Sequence, residues 1–224
     1  MRNSWWKILA IVCLTYVIIG GFLMPAVDDL GILGKTIRNL HFHVPMWFCM
    51  LVLLTVSYIY GIKYLSKGNA AHDSMASSFV KVAMLFGLMG LATGSVWARF
   101  TWGVWWIEDP KLNGAAIGML IYTAYYILRN SIEDEVKRGK LSSVFNLFAF
   151  PIFIVLILVY PKMAVELSNH PGTGDTMAFS EFRPTANDLR MVFYPAVVGW
   201  ILLGVWIATL KYRITEIKRK NEEI

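Results

Sequence analysis

The sequence predicts an all-α fold, a polytopic membrane protein of six transmembrane helices with both termini cytoplasmic. Three observations lead there. Of 224 residues, 57% are hydrophobic and only 16% charged, where an ordinary soluble domain carries roughly a quarter charged; the mean hydropathy is +0.54. The apolar residues collect in six runs, each close to the roughly 17–25 residues a helix needs to cross the hydrocarbon core. Of the 21 Lys and Arg, fourteen lie in the segments on the side of the N-terminus and seven in the alternate loops, an excess that marks the cytoplasmic side.

Taken in order, the expected spans are 5–24, 44–64, 77–98, 112–128, 143–160 and 191–210, in a single membrane domain covering 1–224. The first follows Arg2 and Lys7 and has no A-x-A site behind it, so it reads as a retained span rather than a cleaved leader. Val44-Pro45 opens the second, with Pro45 suited to a first helical turn and His43 at the helix entrance. The third and fourth carry small residues at four-residue spacing (Ala83, Gly87; Gly90, Gly94, Ala98; Gly114, Gly118). That spacing allows close helix approach and predicts that these two spans pair tightly. Asp109-Pro110 suits an N-cap and first helical position ahead of the fourth. The mixed-charge stretch Ile132–Lys140 and the tail Lys211–Ile224 read as solvated helical extensions. Between the fifth and sixth spans about 30 residues lack any clear element, and loops of that length are commonly functional or disordered.

Several chemistries are excluded. The net charge of +6 is distributed by topology rather than as a basic stripe, so nucleic acid is not a partner. Cys13 and Cys49 sit in apolar runs without metal or redox spacing and read as structural thiols. Gly31-Ile-Leu-Gly34-Lys35-Thr36 resembles a phosphate loop, but Asp29 stands where the earlier glycine is required. Glu108, Asp109, Glu166 and Asp175 show no spacing that pairs them for acid–base work. Apart from Lys81, near an inner helix end, the spans hold no ionisable side chain, which argues against an ion-coupled transporter.

The informative stretch is the Trp-rich loop 99–111, predicted outside. Five of the ten residues from 97 to 106 are aromatic: Trp97, Phe100, Trp102, Trp105 and Trp106. Indoles gather at membrane interfaces for amphipathic reasons, but three within five residues suggest a platform for a large planar ligand. Continued as a helix, Trp102, Trp105 or Trp106, and Asp109 fall on one face. His41, His43 and His170 are expected on the same side of the membrane, whereas His72 is expected on the inner surface. An iron porphyrin would use two imidazoles on the metal, indoles against the macrocycle, and cations such as Arg99, Lys111 or Arg183 at its propionates.

The run Trp102-Gly103-Val104-Trp105-Trp106-Ile107-Glu108-Asp109-Pro110-Lys111 resembles the tryptophan-rich signature of the haem-handling proteins of cytochrome c maturation. His43-Val44-Pro45 resembles the segment that opens the second span in the haem exporter protein C family, CcmC. The resemblance covers essentially the whole chain. It implies a haem-binding protein of the bacterial inner membrane, not an enzyme, which holds haem b transiently as cargo at the periplasmic face and delivers it to a haem chaperone similar to CcmE. The implied companions are ABC transporter subunits similar to CcmA and CcmB and a small single-span subunit similar to CcmD, within the lipid bilayer. By position, the implied axial ligands are His43 and His170, and the platform is Trp102, Trp105 and Trp106 with Gly103 between and Asp109 closing the motif. Glu108 departs from the family pattern, where a Trp precedes the Asp; one indole is lost and a carboxylate gained. His41, two residues from His43, stands as an alternative ligand. A cytochrome c haem lyase or synthase of the same superfamily is the competing reading, and a small-solute transporter a more distant one.

Overall fold

Long apolar sequences leave the backbone no water to bond, and helices satisfy it within the segment. The computed structural model describes residues 4–23, 31–168, 170 and 186–222, and every regular element among them is helical. In order these are α1 (Trp5–Leu23), α2 (Gly31–Thr36), α3 (Leu40–Lys67), α4 (Ala70–Trp102), α5 (Pro110–Asn130), α6 (Glu135–Ile154), α7 (Tyr160–Met163) and α8 (Ala186–Glu222). Short 3₁₀ turns precede α3 (Ile37–Asn39) and follow α7 (Val165–Leu167), and a π turn (Val155–Val159) joins α6 to α7. Arg2, Asp29, Asp175, Arg183 and Ile224, all used in the sequence reading, lie outside the described residues.

Among the described residues, five helical stretches are long and apolar enough to cross a membrane: Trp5–Leu23, Gly34–Lys67, Ala70–Trp102, Glu135–Met163 and Asp188–Asn221. The chain is thus a multi-pass membrane protein. The expected fourth span is the 21-residue α5, long enough but not among those five, since tyrosines and small residues dilute its hydropathy. The expected extensions are helical: α6 starts at Glu135, capped by Asp134, and α8 runs on to Glu222.

Successive long helices along the chain alternate in direction. Trp6 meets Trp206 edge to face, Gly199 lies beside Cys13 and Gly20 beside Val192, so α1 and α8 run antiparallel. Along α3 and α4, His43 and Trp47 pack on Gly94 and Gly90, and Met50 on Gly87. Along α5 and α6, Tyr122 meets Asn146 and Gly118 meets Phe153. One end of the bundle therefore gathers the starts of α3, α5 and α8 with the end of α4. The opposite end carries the start of α4 and the end of α5, tied by a bidentate Arg129–Asp73 pair at 2.8 and 2.6 Å.

Two expectations are corrected. Gly90 and Gly94 of α4 face Trp47 and His43 of α3, Gly87 faces both Met119 of α5 and Met50 of α3, and Gly114 and Gly118 face the Leu156 carbonyl and Phe153 of the α6–π segment rather than α4. Four-residue spacing marks a face for close approach without naming the neighbour. The second correction concerns α3, which starts at Leu40 rather than 44, fed by the 3₁₀ turn, so Pro45 lies inside the helix. His43 thus sits in the first turns of a helix already under way, not at its entrance.

Candidate functional site

The site is built at the end of the bundle where α3 begins and α4 ends. His43 is buried, and its Nδ1 lies 3.0 Å from the Gly90 carbonyl and 3.1 Å from Thr93 Oγ1. A carbonyl only accepts, and the Thr93 hydroxyl already donates back to its own helix, at 2.8 Å to the Met89 carbonyl. Nδ1 must therefore carry the proton, and the lone pair resides on Nε2. A ring nitrogen tied to a backbone carbonyl is the usual way a ligating imidazole is oriented and made more basic. Glycine at 94 makes this possible: a Cβ there would stand 2.6 Å from His43 Cε1. The ring meets the edges of Trp97 at 5.8 Å and Trp47 at 6.5 Å.

Trp97 is fixed from the other side. Its Nε1 donates to Thr36 Oγ1 at 2.8 Å, and Thr36 bridges to Thr101 at 3.1 Å. Asn39 Nδ2 donates to the Thr93 carbonyl at 2.9 Å. The segment that resembled a phosphate loop is thus the short α2, whose last residue pins an indole.

His41 points elsewhere. It is fully buried, and its Cβ lies beside Gly21 of α1, while the His43 ring faces α4. Two residues along a helix turn a side chain by about 200°.

The tryptophan segment is not one helical strip. α4 ends at Trp102, and Gly103 takes the left-handed conformation, φ +80°, that terminates helices. Arg99 Nη1 donates to the Gly103 carbonyl, so this cation caps α4 rather than projecting freely. The expected loop 99–111 contracts to residues 103–109, flanked by helix on both sides. Ser95 Oγ holds the Trp105 carbonyl at 2.7 Å, and Trp106 Nε1 donates to Asn113 Oδ1 of α5 at 3.2 Å. Trp105 and Trp106 remain 59% and 40% exposed, leaving indole surface uncovered at this end of the bundle.

Asp109 does not continue that surface. It is 0% exposed and caps α5, as the Asp-Pro pair suggests, with Oδ1 accepting from the Lys111 amide at 2.8 Å. Its Oδ2 accepts from Ser168 Oγ at 2.8 Å. Ser168 in turn accepts from the His170 amide at 3.2 Å, and the His170 ring tilts against Trp102 at 6.4 Å. Glu108 is exposed.

The structure therefore brings His43, His170, Trp102 and Lys111 to one end of the molecule. It turns Arg99, Gly103 and Asp109 to capping. Sequence reasoning passed over Gly90, Thr93, Gly94, Trp47 and Ser168. The glycines were visible as packing positions; nothing in one dimension says that what they accommodate is the candidate ligand and its flanking indole.

The heme exporter protein C family model, CcmC, matches residues 2–224. Among curated proteins, the chain is 24% identical over 213 residues to heme exporter protein C of Escherichia coli, covering 93% of this chain and 81% of that one. It is 23% identical over 192 residues to the Haemophilus influenzae protein of the same name, covering 83% and 73%. A shorter stretch of 88 residues is 34% identical to the cytochrome c biogenesis protein CcsA of Prochlorococcus marinus, covering 39% of this chain and 26% of that protein. With the family match running over nearly its whole length, the chain belongs to the heme exporter protein C (CcmC) family of cytochrome c biogenesis.

Proposed function

We propose that this chain holds haem as cargo at the periplasmic face of the bacterial inner membrane and passes it to a periplasmic haem chaperone similar to CcmE. His43 and His170 are the axial ligands; Trp102, Trp105 and Trp106 lie against the macrocycle, and Lys111 serves a propionate. The observation that carries this reading is the tether from His43 Nδ1 to the Gly90 carbonyl, which leaves Nε2 as the ligating nitrogen with a second imidazole at the same end of the bundle. Six spans with both termini inside fit the alternating helices and the basic residues on the side of the N-terminus. Partners similar to CcmA, CcmB and CcmD follow from the family.

The chain acts here as a carrier, not an enzyme. The alternative is a cytochrome c haem lyase or synthase of the same superfamily, a reading kept open by the local likeness to a cytochrome c biogenesis protein, CcsA. The deciding measurement is the visible spectrum of the protein purified with its partners. Haem should co-purify and be lost from the double variant His43→Ala/His170→Ala. A Soret band that persists in that variant would remove the axial pair.

A further inference from the structure

The carboxylate of Asp109 faces two ways. Capping α5 requires one oxygen, and Oδ1 supplies it to the Lys111 amide. Oδ2 is equally enclosed, since the residue is 0% exposed, and a buried carboxylate oxygen needs its own donor. Ser168 supplies one, at 2.8 Å, from the segment that follows the 3₁₀ turn Val165–Leu167. The hydroxyl gives its one proton to Asp109 and takes the His170 amide on a lone pair at 3.2 Å. A single oxygen atom thus connects the capping carboxylate of α5 to the backbone of the candidate ligand. The His170 ring rests on Trp102, at the other end of the same 103–109 connection. Both contacts therefore refer His170 to the tryptophan segment.

We propose that Asp109 and Ser168 form a latch that sets the position of His170, acting as positioning residues for the axial pair and not as haem contacts. This rests on the reading of His43 and His170 as ligands of the iron. Removing the latch leaves the imidazole in the chain but no longer held opposite its partner.

The test uses the protein purified with its partners and its co-purified haem, compared at equal membrane levels for Ser168→Ala, Ser168→Thr, Asp109→Asn and His170→Ala. Ser168→Ala is expected to lose the six-coordinate low-spin spectrum and to retain haem about tenfold less well, in the range that supporting-shell changes produce at metal sites. Ser168→Thr keeps the hydroxyl and should keep the spectrum. Asp109→Asn presents an amide where the Ser168 hydroxyl needs an acceptor, and reports the same bond from the other side should Ser168→Ala fail to accumulate. Added free imidazole should restore six-coordination in Ser168→Ala and His170→Ala alike. A merely structural serine would alter yield without altering coordination number. A six-coordinate spectrum in Ser168→Ala and Asp109→Asn, alongside its loss in His170→Ala, would overturn the latch with the axial pair intact. Retention of that spectrum in His170→Ala would overturn both.

Discussion

At the scale of single residues, the imidazole of His43 shows how a backbone can select a tautomer. The Gly90 carbonyl and Thr93 hydroxyl take its Nδ1 proton, and the missing side chain at 94 leaves room for the ring. Gly94→Ala should push the ring off the carbonyl, because a Cβ would lie 2.6 Å from Cε1 and 3.2 Å from Nδ1. Haem retention, read from the Soret absorbance per protein, is expected to fall about tenfold. Gly103→Ala makes a contrast: its left-handed φ costs an L-residue about 1 kcal/mol, but nothing lies within 4 Å of the added methyl. A modest loss of thermal stability with haem retained is the expected outcome. His43, His170 and the indoles stand out in the sequence because their residue types are rare in combination, and the structure sets His43, His170 and Trp102 at one end of the bundle. Thr93 and Ser168 do not stand out, because they act through tertiary hydrogen bonds to residues fifty and more positions away.

At the scale of elements, five of the expected spans fall within helical stretches long and apolar enough to cross a membrane, because their apolar runs match the thickness of a bilayer, and Asp109-Pro110 and Asp134 behave as the caps their chemistry predicts. Pairing was not legible. Gly90 and Gly94 could equally have served α5, as Gly87 does in part through Met119, and only the side chains opposite them, Trp47 and His43, decide for α3. The π turn was equally hidden: it widens the helix ahead of Pro161, whose ring cannot follow a regular α turn. At the far end, α4 and α5 are joined by Arg129 and Asp73, whose side chains are only 10% and 15% exposed. Asp73→Asn leaves a buried guanidinium without its charge partner, a change that costs about 3 kcal/mol. The melting temperature of the solubilised complex should drop while the haem spectrum stays as it was, since the pair lies at the opposite end from His43.

At the scale of the whole molecule, the alternation of helix directions separates two ends with different equipment. One has partly exposed indoles and three imidazoles, His41, His43 and His170. The other has the ion pair, the Glu135–Arg138 and Glu216–Arg219 pairs, and Lys7 over the Trp6 and Trp206 rings. A membrane-impermeant thiol reagent applied from the periplasm tests which end faces out. Val104→Cys, at a position 46% exposed, should label in intact spheroplasts, and Glu133→Cys should label only after the membrane is opened. The reverse pattern would invert the orientation and place the candidate site in the cytoplasm. The expected sidedness rests on the charge distribution alone, because loop lysines and arginines bias orientation without regard to packing.

The small-residue stripe of α4 has a last consequence. Runs of this kind invite the guess that two copies of a protein zip together along them. Here the groove is already filled from within the same chain, by an indole at Gly90 and an imidazole at Gly94. Any self-association seam, or any berth for a single-helix companion, has to be sought on another flank of the bundle, such as the lipid-ward side of α1 with Ile8, Val12 and Ile19.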